Sequence, residues 1–199
     1  MSGPINIAIA GVGGQGIILA SDIVANAALC AGHDVKKNEV HGMAQRGGSV
    51  VSEIRFGRKI HSPLIPDGEV DVLVALELLE ALRHAHRLRR GGLLIANELQ
   101  LPPAVRPPGA PAYPTDVRAR VESAAKDVIL IPAAEIARKA GNARAANTVL
   151  IGALSRNVQI PLAAWKAALE SCLRPSLLEV NEKVFASGRR RGVVRTKSA

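Results

Sequence analysis

Cysteine is scarce in this sequence. Only Cys30 and Cys172 are present, and they belong to no Cys-x-x-Cys motif or Cys/His array. Because iron–sulfur clusters and structural zinc sites need several thiolate or imidazole ligands, the chain cannot ligate either group by itself. We therefore predict no metal site. Both cysteines fall in stretches of helical periodicity, and we interpret them as buried thiols in a reducing compartment.

Aromatic residues and long apolar runs are also lacking. Aromatics make up only 2% of the residues, so the core must be built from Ala, Val, Ile and Leu. Charges interrupt every apolar run before the roughly 18 residues needed to span a bilayer. The first residues, MSGPINIAIAGVGG, lack the basic segment of a secretory signal. We expect one soluble, cytoplasmic domain, with 48% apolar and 22% charged residues typical of that class.

Positive charge is in excess and unevenly distributed. The formal net charge is +9, with arginines crowded between Arg83 and Arg90 and again after Gly188. We predict a domain over residues 1–188 and a disordered basic tail over residues 189–199. The scarcity of aromatic side chains for base stacking disfavours nucleic-acid binding. An acidic partner surface or a phosphate-bearing ligand would suit the charge equally well.

The hydrophobic pattern alternates between strand and helix character. The predicted strands are Ile5–Ala10, Asp34–Val40, Ser49–Phe56, Val70–Leu76, Gly92–Ala96 and Val128–Ile131. The predicted helices are Gln15–Ala31, Glu77–Leu88, Val117–Ala125, Ala133–Ala140, Asn147–Leu154, Pro161–Cys172 and Pro175–Ala186. Six prolines exclude helix and interior strand between Leu101 and Pro114. The pattern predicts an α/β fold: a three-layer Rossmann-like domain with a largely parallel sheet and a helical C-terminal portion. A tight turn at Gly57–Arg58 would make one edge of the sheet antiparallel.

A glycine-rich motif, GVGGQG, lies between the first strand and the first helix. Gly11, Gly13 and Gly16 stand in the G-x-G-x-x-G register of dinucleotide-binding turns. In such turns the first glycine permits the sharp bend, the second lets a phosphate approach the backbone, and the third allows close packing. Free N–H groups at the start of the helix favour an anion. Gly14 and Gln15 complete the candidate binding turn.

A second glycine-rich segment follows the second predicted strand. Glu39 lies at about the end of that strand, where a Rossmann site holds a ribose with an acid. The residues that follow read VHGMAQRGGS, which is foreign to an ordinary NAD domain. Candidate binding residues in this segment are His41, Gln45, Arg46, Gly47 and Gly48. A fixed guanidinium between flexible glycines suits a loop that closes over a phosphate or lies against another chain. A lone histidine is more often structural than catalytic, so no catalytic residue is assigned.

The order of these motifs resembles a known family. GVGGQG, EVHGMAQRGGSVVSEIRFG and HSPLIPDGEVDVLVALE are similar to the gamma-type subunit or domain of 2-oxoacid:ferredoxin oxidoreductases, and most of all to the beta subunit of the indolepyruvate branch. Asn147–Ala153 and Leu178–Phe185 extend the resemblance, which runs from about Ile5 to Gly188.

The resemblance implies a function within a complex. Members of this family decarboxylate a 2-oxoacid oxidatively, transfer the acyl group to coenzyme A and pass electrons to ferredoxin. Thiamine diphosphate, Mg and 4Fe-4S clusters would belong to a large alpha subunit. This chain would be an accessory subunit, inactive alone, with coenzyme A a candidate ligand of its glycine loops.

Three alternatives remain at this stage. The chain could be a stand-alone NAD(P)- or flavin-binding protein that uses GVGGQG and Glu39. It could be a homodimeric binding module whose GMAQRGG loop is a partner surface. It could also bind nucleic acid through its basic tail. We rank all three below the oxidoreductase subunit.

Overall fold

A single mixed β-sheet forms the centre of the protein. The computed structural model describes residues 3–41, 47–102, 109 and 113–194. The six strands of these ranges are β1 (Ile5–Val12), β2 (Asp34–His41), β3 (Ser49–Gly57), β4 (Val70–Ala75), β5 (Leu88–Asn97) and β6 (Asp127–Ile131). Their spatial order is β2-β3-β1-β4-β5-β6. β3 runs antiparallel to both of its neighbours, and the other strands share one direction.

Helices cover both faces of this sheet. They are α1 (Ile17–Cys30), α2 (Leu78–His84), α3 (Val117–Ala124), α4 (Ala133–Lys139), α5 (Ala146–Leu154), α6 (Leu162–Cys172) and α7 (Pro175–Arg191). Two short 3-10 helices occupy Ala85–Arg87 and Ala143–Ala145. Within the described ranges, no helix combines the length and the apolar character that crossing a bilayer requires.

The side chains of β1 separate the two halves of the core. Ile7 and Ile9 belong to the larger cluster, which packs under α1 and the C-terminal helices. Ala8 and Ala10 belong to the smaller cluster, which packs under α2 and α3. This alternation follows from the two-residue period of a strand. The predicted three-layer α/β fold with a largely parallel sheet and a helical C-terminal portion is confirmed.

The antiparallel edge forms differently from the prediction. Asp34 lies opposite Gly57 and His41 opposite Val50, so β2 and β3 form one long hairpin. The predicted turn at Gly57–Arg58 does not lead into another strand, because residues 59 and 60 have no strand conformation. The connection that reverses the chain is instead the glycine-rich segment between β2 and β3.

Two further expectations need correction. Cys30 is exposed at the end of α1, and Cys172 is only partly buried, so the two thiols are not both core residues. α7 continues to Arg191, so the first residues of the predicted disordered tail are helical. Arg189 holds this extension by donating to the Ser155 carbonyl oxygen at 2.7 Å. Residues 195–199 lie outside the described residues, as does most of the proline-rich segment.

The helices α5 and α7 pack backbone to backbone. A Cβ atom at Gly188 would overlap the carbonyl oxygen of Val149, and one at Gly152 would overlap that of Phe185. Glycine at both positions therefore allows a separation of the two helix axes that any side chain would prevent.

A Gly188→Ala substitution tests this packing. In an exposed helix, alanine is more stable than glycine by about 1 kcal/mol. Here we expect the opposite sign, a loss of about 1–3 kcal/mol in the free energy of unfolding, because the methyl group overpacks the contact. Chemical denaturation measures the change, with Lys183→Ala on the exposed face of α7 as the control. A Gly188→Ala protein as stable as the wild type would contradict the described packing.

Candidate functional site

The two predicted glycine segments meet at the carboxyl ends of the parallel strands. Val12 at the end of β1 lies opposite Ser49 at the start of β3. Just beyond this pair, the Gly13 N–H donates to the Gly48 carbonyl oxygen at 2.8 Å, and the Gly47 N–H donates to the Gly13 carbonyl oxygen at 3.5 Å. The turn after β1 and the end of the β2–β3 connection are therefore bonded to each other.

The remaining predicted residues of the β2–β3 connection are less fully described. His41 is the last residue of β2, and only its backbone is described. Gln45 and Arg46 lie outside the described residues. The contribution of these three side chains to binding stays a prediction.

Gln15 holds the glycine turn together. Its side-chain oxygen accepts a hydrogen bond from the Val12 N–H at 2.7 Å, and its Nε2 donates to the Leu76 carbonyl oxygen at 3.3 Å. A Cβ atom at Gly11 would lie 2.7 Å from that side-chain oxygen, so glycine is needed there to admit the Gln15 amide. Gln15 and Gly11 therefore fix the turn to the end of β4.

Gly16 contacts a helix that is distant in sequence. It has a φ of +79°, and its carbonyl oxygen accepts a hydrogen bond from Asn147 Nδ2 at 3.0 Å. A Cβ atom at Gly16 would lie 2.5 Å from the same nitrogen. Gly16 thus allows close packing, as the motif predicts, but its neighbour is α5 rather than the adjacent strand.

Asn147 is a residue whose role sequence reasoning missed. It begins a buried hydrogen-bond chain in which the Thr148 hydroxyl donates to Asn181 Oδ1 of α7 at 2.7 Å. Asn147 accepts from the Thr148 N–H at 2.7 Å, so both ends of its amide are used. A polar pair, Asn-Thr, within the otherwise apolar NTVLIGA segment was the signal that could have indicated this role.

The turn offers an anion fewer N–H groups than the motif predicts. The N–H groups of Val12, Gly13 and Gln15 are all bonded within the protein. By contrast, Gly14 has a φ of +104° and no heavy atom within 4 Å of its Cβ position. The first turn of α1 has no side-chain cap among the described residues. Backbone approach by a ligand is therefore possible at Gly14 and the start of α1 rather than at Gly13.

Glu39 does not occupy the position of a ribose-binding acid. That position requires the second strand to lie beside the first, whereas here β3 lies between β1 and β2. Two strand spacings, about 10 Å, therefore separate Glu39 from β1. The Glu39 carboxylate also pairs with Lys37 at 2.8 Å, and Lys37 bonds Asp22 of α1. The prediction that Glu39 completes a dinucleotide site is not supported by this geometry.

A buried carboxylate fixes the start of β3. Glu80 of α2 is only 4% exposed. It accepts a hydrogen bond from the Ser49 hydroxyl, and it lies 3.6 Å from His84 Nε2 and 3.2 Å from Arg83 NH1. Burial alone would raise the pKa of Glu80, but the hydrogen bonds from His84 and Ser49 and the nearby cations outweigh it and lower that pKa. The Gly47–Gly48 end of the connection is thereby held through Ser49 to α2.

A neighbouring carboxylate caps α2. Glu77 is 1% exposed and accepts the N–H groups of Leu79 and Glu80 at 2.7 and 3.0 Å. It also accepts the Leu101 N–H and the Tyr113 hydroxyl, which lie near the two ends of the proline-rich segment. Burial and the Glu77 carboxylate together raise the pKa of the Tyr113 hydroxyl. Glu77 is therefore a structural acid. Separately, the described residues contain no group of three or more His, Cys, Asp or Glu side chains suited to a metal ion.

The Glu80 cluster predicts a pH dependence of stability. The pKa of Glu80 is lower in the folded protein than in the unfolded chain. The stabilisation that the Glu80 carboxylate contributes is therefore complete above about pH 4.5 and is lost as the pH falls through the folded pKa. Glu80→Gln cannot titrate, so its free energy of unfolding should fall less steeply than that of the wild type between about pH 5 and pH 3. At neutral pH the variant should be less stable by about 1–3 kcal/mol. Denaturation at a series of pH values measures both effects. Exposed Glu179→Gln is the control, and parallel profiles for wild type and Glu80→Gln would contradict the assignment.

Comparisons with known proteins agree with this architecture. The keto/oxoacid ferredoxin oxidoreductase gamma subunit of Geobacter sulfurreducens superposes with a TM-score of 0.71 at 24% identity, covering 96% of this chain and 97% of that one. The 2-oxoglutarate:ferredoxin oxidoreductase of Magnetococcus marinus, solved with coenzyme A bound, has a TM-score of 0.72 at 21% identity. It covers 96% of this chain but only 31% of that chain, so the fold is there one part of a longer polypeptide. At these identities the matches establish the fold.

Sequence comparison gives the family. Indolepyruvate oxidoreductase subunit IorB of Thermococcus kodakarensis is 39% identical over 188 residues, which cover 92% of this chain and 93% of that one. The family model for pyruvate ferredoxin/flavodoxin oxidoreductase matches residues 6–191. The chain therefore belongs to the pyruvate ferredoxin/flavodoxin oxidoreductase family.

Proposed function

We propose that this chain is the accessory small subunit of a 2-oxoacid:ferredoxin oxidoreductase that acts on indolepyruvate or a related arylpyruvate. The observation that carries the proposal is the similarity to the IorB subunit along nearly the whole of both chains. The match covers 92% of this chain and 93% of that relative, which supports an equivalent place for both chains in a complex.

The reaction requires groups that this chain is not equipped to hold. With two cysteines far apart in sequence, it lacks the thiolates of a 4Fe-4S cluster. Thiamine diphosphate with Mg, bound in the large alpha subunit, would supply the carbanion chemistry of decarboxylation, and the clusters would carry two electrons to ferredoxin. The role left to this chain is to complete the complex and to present its carboxyl edge to the acyl acceptor or to the partner. The carboxyl edge is the surface at the carboxyl ends of the parallel strands, formed by the Gly11–Gly16 turn and by Gly47 and Gly48.

The carboxyl edge has features suited to an anion. Gly14 is open, the start of α1 lacks a side-chain cap among the described residues, and Arg46 directly precedes Gly47, which is bonded to the turn. Backbone N–H groups at a helix start and a guanidinium are both ligands for phosphate. The anion would be a coenzyme A phosphate or an acidic patch of the alpha subunit. The coenzyme A bound in the Magnetococcus marinus enzyme supports the choice of a coenzyme A phosphate.

The alternative of a stand-alone dinucleotide protein is not favoured. The strand order puts β3 between β1 and β2, so Glu39 is too far from the turn to hold a ribose beside it. A homodimeric binding module and nucleic-acid binding through the basic tail remain the lower-ranked alternatives.

Reconstitution tests the proposed function. We expect no 2-oxoacid oxidation by the purified chain, and activity with indolepyruvate, coenzyme A and ferredoxin once the large subunit of the same organism is added. The measurement is reduction of ferredoxin in the presence and absence of this chain. A large subunit that turns over equally fast without the chain would refute the accessory role.

Arg46→Ala tests the carboxyl edge within the reconstituted complex. Loss of one charge-assisted contact should raise the KM for coenzyme A, or weaken subunit assembly, by about ten- to a hundredfold. The melting temperature should not change, because the proposal assigns the Arg46 guanidinium to a ligand or partner outside this chain. Arg58→Ala is the control, because Arg58 follows β3 at the amino ends of the parallel strands. It should change neither the KM for coenzyme A nor subunit assembly. Unchanged kinetics together with unchanged assembly in Arg46→Ala would rule out the role of this edge.

A further inference from the structure

A groove with an apolar floor lies between α6 and α7, apart from the carboxyl edge. Its volume is about 820 Å³. Leu169 and Phe185 form the floor and are almost fully buried, at 1% and 4% exposure. Leu162 and Val193 line the groove and remain 44% and 56% exposed. Exposed large apolar side chains beside a concave apolar floor mark a surface that gains stability when it is covered.

The groove is lined by cations without partners. Arg156, Lys166 and Arg190 line it and are exposed, and their side chains form no ion pair or hydrogen bond with another described residue. Among the described residues that line the groove, Glu182 is the only acidic one. Elsewhere the exposed cations often have acidic partners, as in the pairs Arg89–Asp71 and Arg118–Glu98. The positive charge of the groove is therefore uncompensated within the described structure.

This combination of charge and shape selects the occupant. We infer that the groove docks an acidic segment of the large subunit, with an apolar side chain inserted over Leu169 and Phe185 and carboxylates facing Arg156, Lys166 and Arg190. Complementary charge at the rim of an apolar contact steers association and fixes its register. The identity of the partner rests on the proposed function, whereas the acidic and apolar character of its segment follows from the groove itself.

Two other occupants fit the charges poorly. A second copy of the chain, docked through the same patch about a two-fold axis, would bring the cations of one copy against those of the other. The residues that follow Val194 carry Arg195 and Lys197, which have the same sign as the groove. Like charges in contact oppose association, so both arrangements are disfavoured.

Charge reversal in the groove tests the inference. Lys166→Glu/Arg190→Glu is compared with Arg174→Glu/Lys183→Glu, which makes the same change in net charge at exposed positions outside the groove. The measurement is the apparent Kd for the large subunit at about 50 and about 200 mM salt. We expect a Kd at least about tenfold weaker for the groove variant, with less than about threefold change in the control. The wild-type Kd should also rise with salt more steeply than that of the groove variant.

A photo-cross-linker at position 162 identifies what covers the groove. A cross-link to an acidic segment of the large subunit supports the inference, and a cross-link between two copies of this chain overturns it. Equal Kd values for the wild type and the groove variant overturn the docking surface but leave the proposed function intact. If the wild type neither binds nor activates the large subunit, the proposed function fails, and the partner assignment fails with it. Melting temperatures of both double variants confirm that any loss of binding is not loss of folding.

Discussion

A buried chain of hydrogen bonds joins the glycine turn to the C-terminal helices, and the arrangement of the domain depends on it. It runs from the Gly16 carbonyl to the Asn147 amide, from there through the N–H and the hydroxyl of Thr148, and ends at Asn181. Each of the three side chains is at most 4% exposed, so an unsatisfied group here would be costly. The chain therefore fixes α5 and α7 relative to the start of α1. It also explains why the third motif glycine is required, since a side chain at Gly16 would displace Asn147.

The antiparallel strand β3 gives the same glycine turn a different use from that in a dinucleotide domain. By lying between β1 and β2 it removes Glu39 from the neighbourhood of the turn and brings Gly47 and Gly48 there instead. The Gly13 N–H, which would face a pyrophosphate in a dinucleotide site, donates to Gly48. The sequence motif is thus retained while its most characteristic ligand contact is made by the protein itself.

Sequence reasoning predicted what depends on local periodicity and missed what depends on distant contacts. The strands and helices from Ile5 to Cys172 follow from apolar runs and stripes, so their existence and type were predictable. Gln15 and Asn147 were not assigned their roles, because their partners lie 61 and 131 residues away. The distance of Glu39 from β1 was not predictable for a related reason, since spacing along the chain does not reveal which strands are neighbours. The end of α7 at Arg191 was missed because a run of arginines resembles a solvated tail, although Arg189 bonds Ser155.

These observations together limit where the protein can bind an anionic partner. The turn uses most of its backbone donors internally. Arg87 and Arg89 pair with acids on neighbouring elements, and Arg83 pairs with Glu80 of its own helix. The groove between α6 and α7, by contrast, carries positive side chains without acidic partners among the described residues. Its apolar floor adds a hydrophobic contact surface to that charge. In this groove, cationic side chains without described partners lie beside exposed apolar side chains, so the surface is directional. Such a surface suits a subunit held in one orientation, because the covered face is specified by both charge and shape.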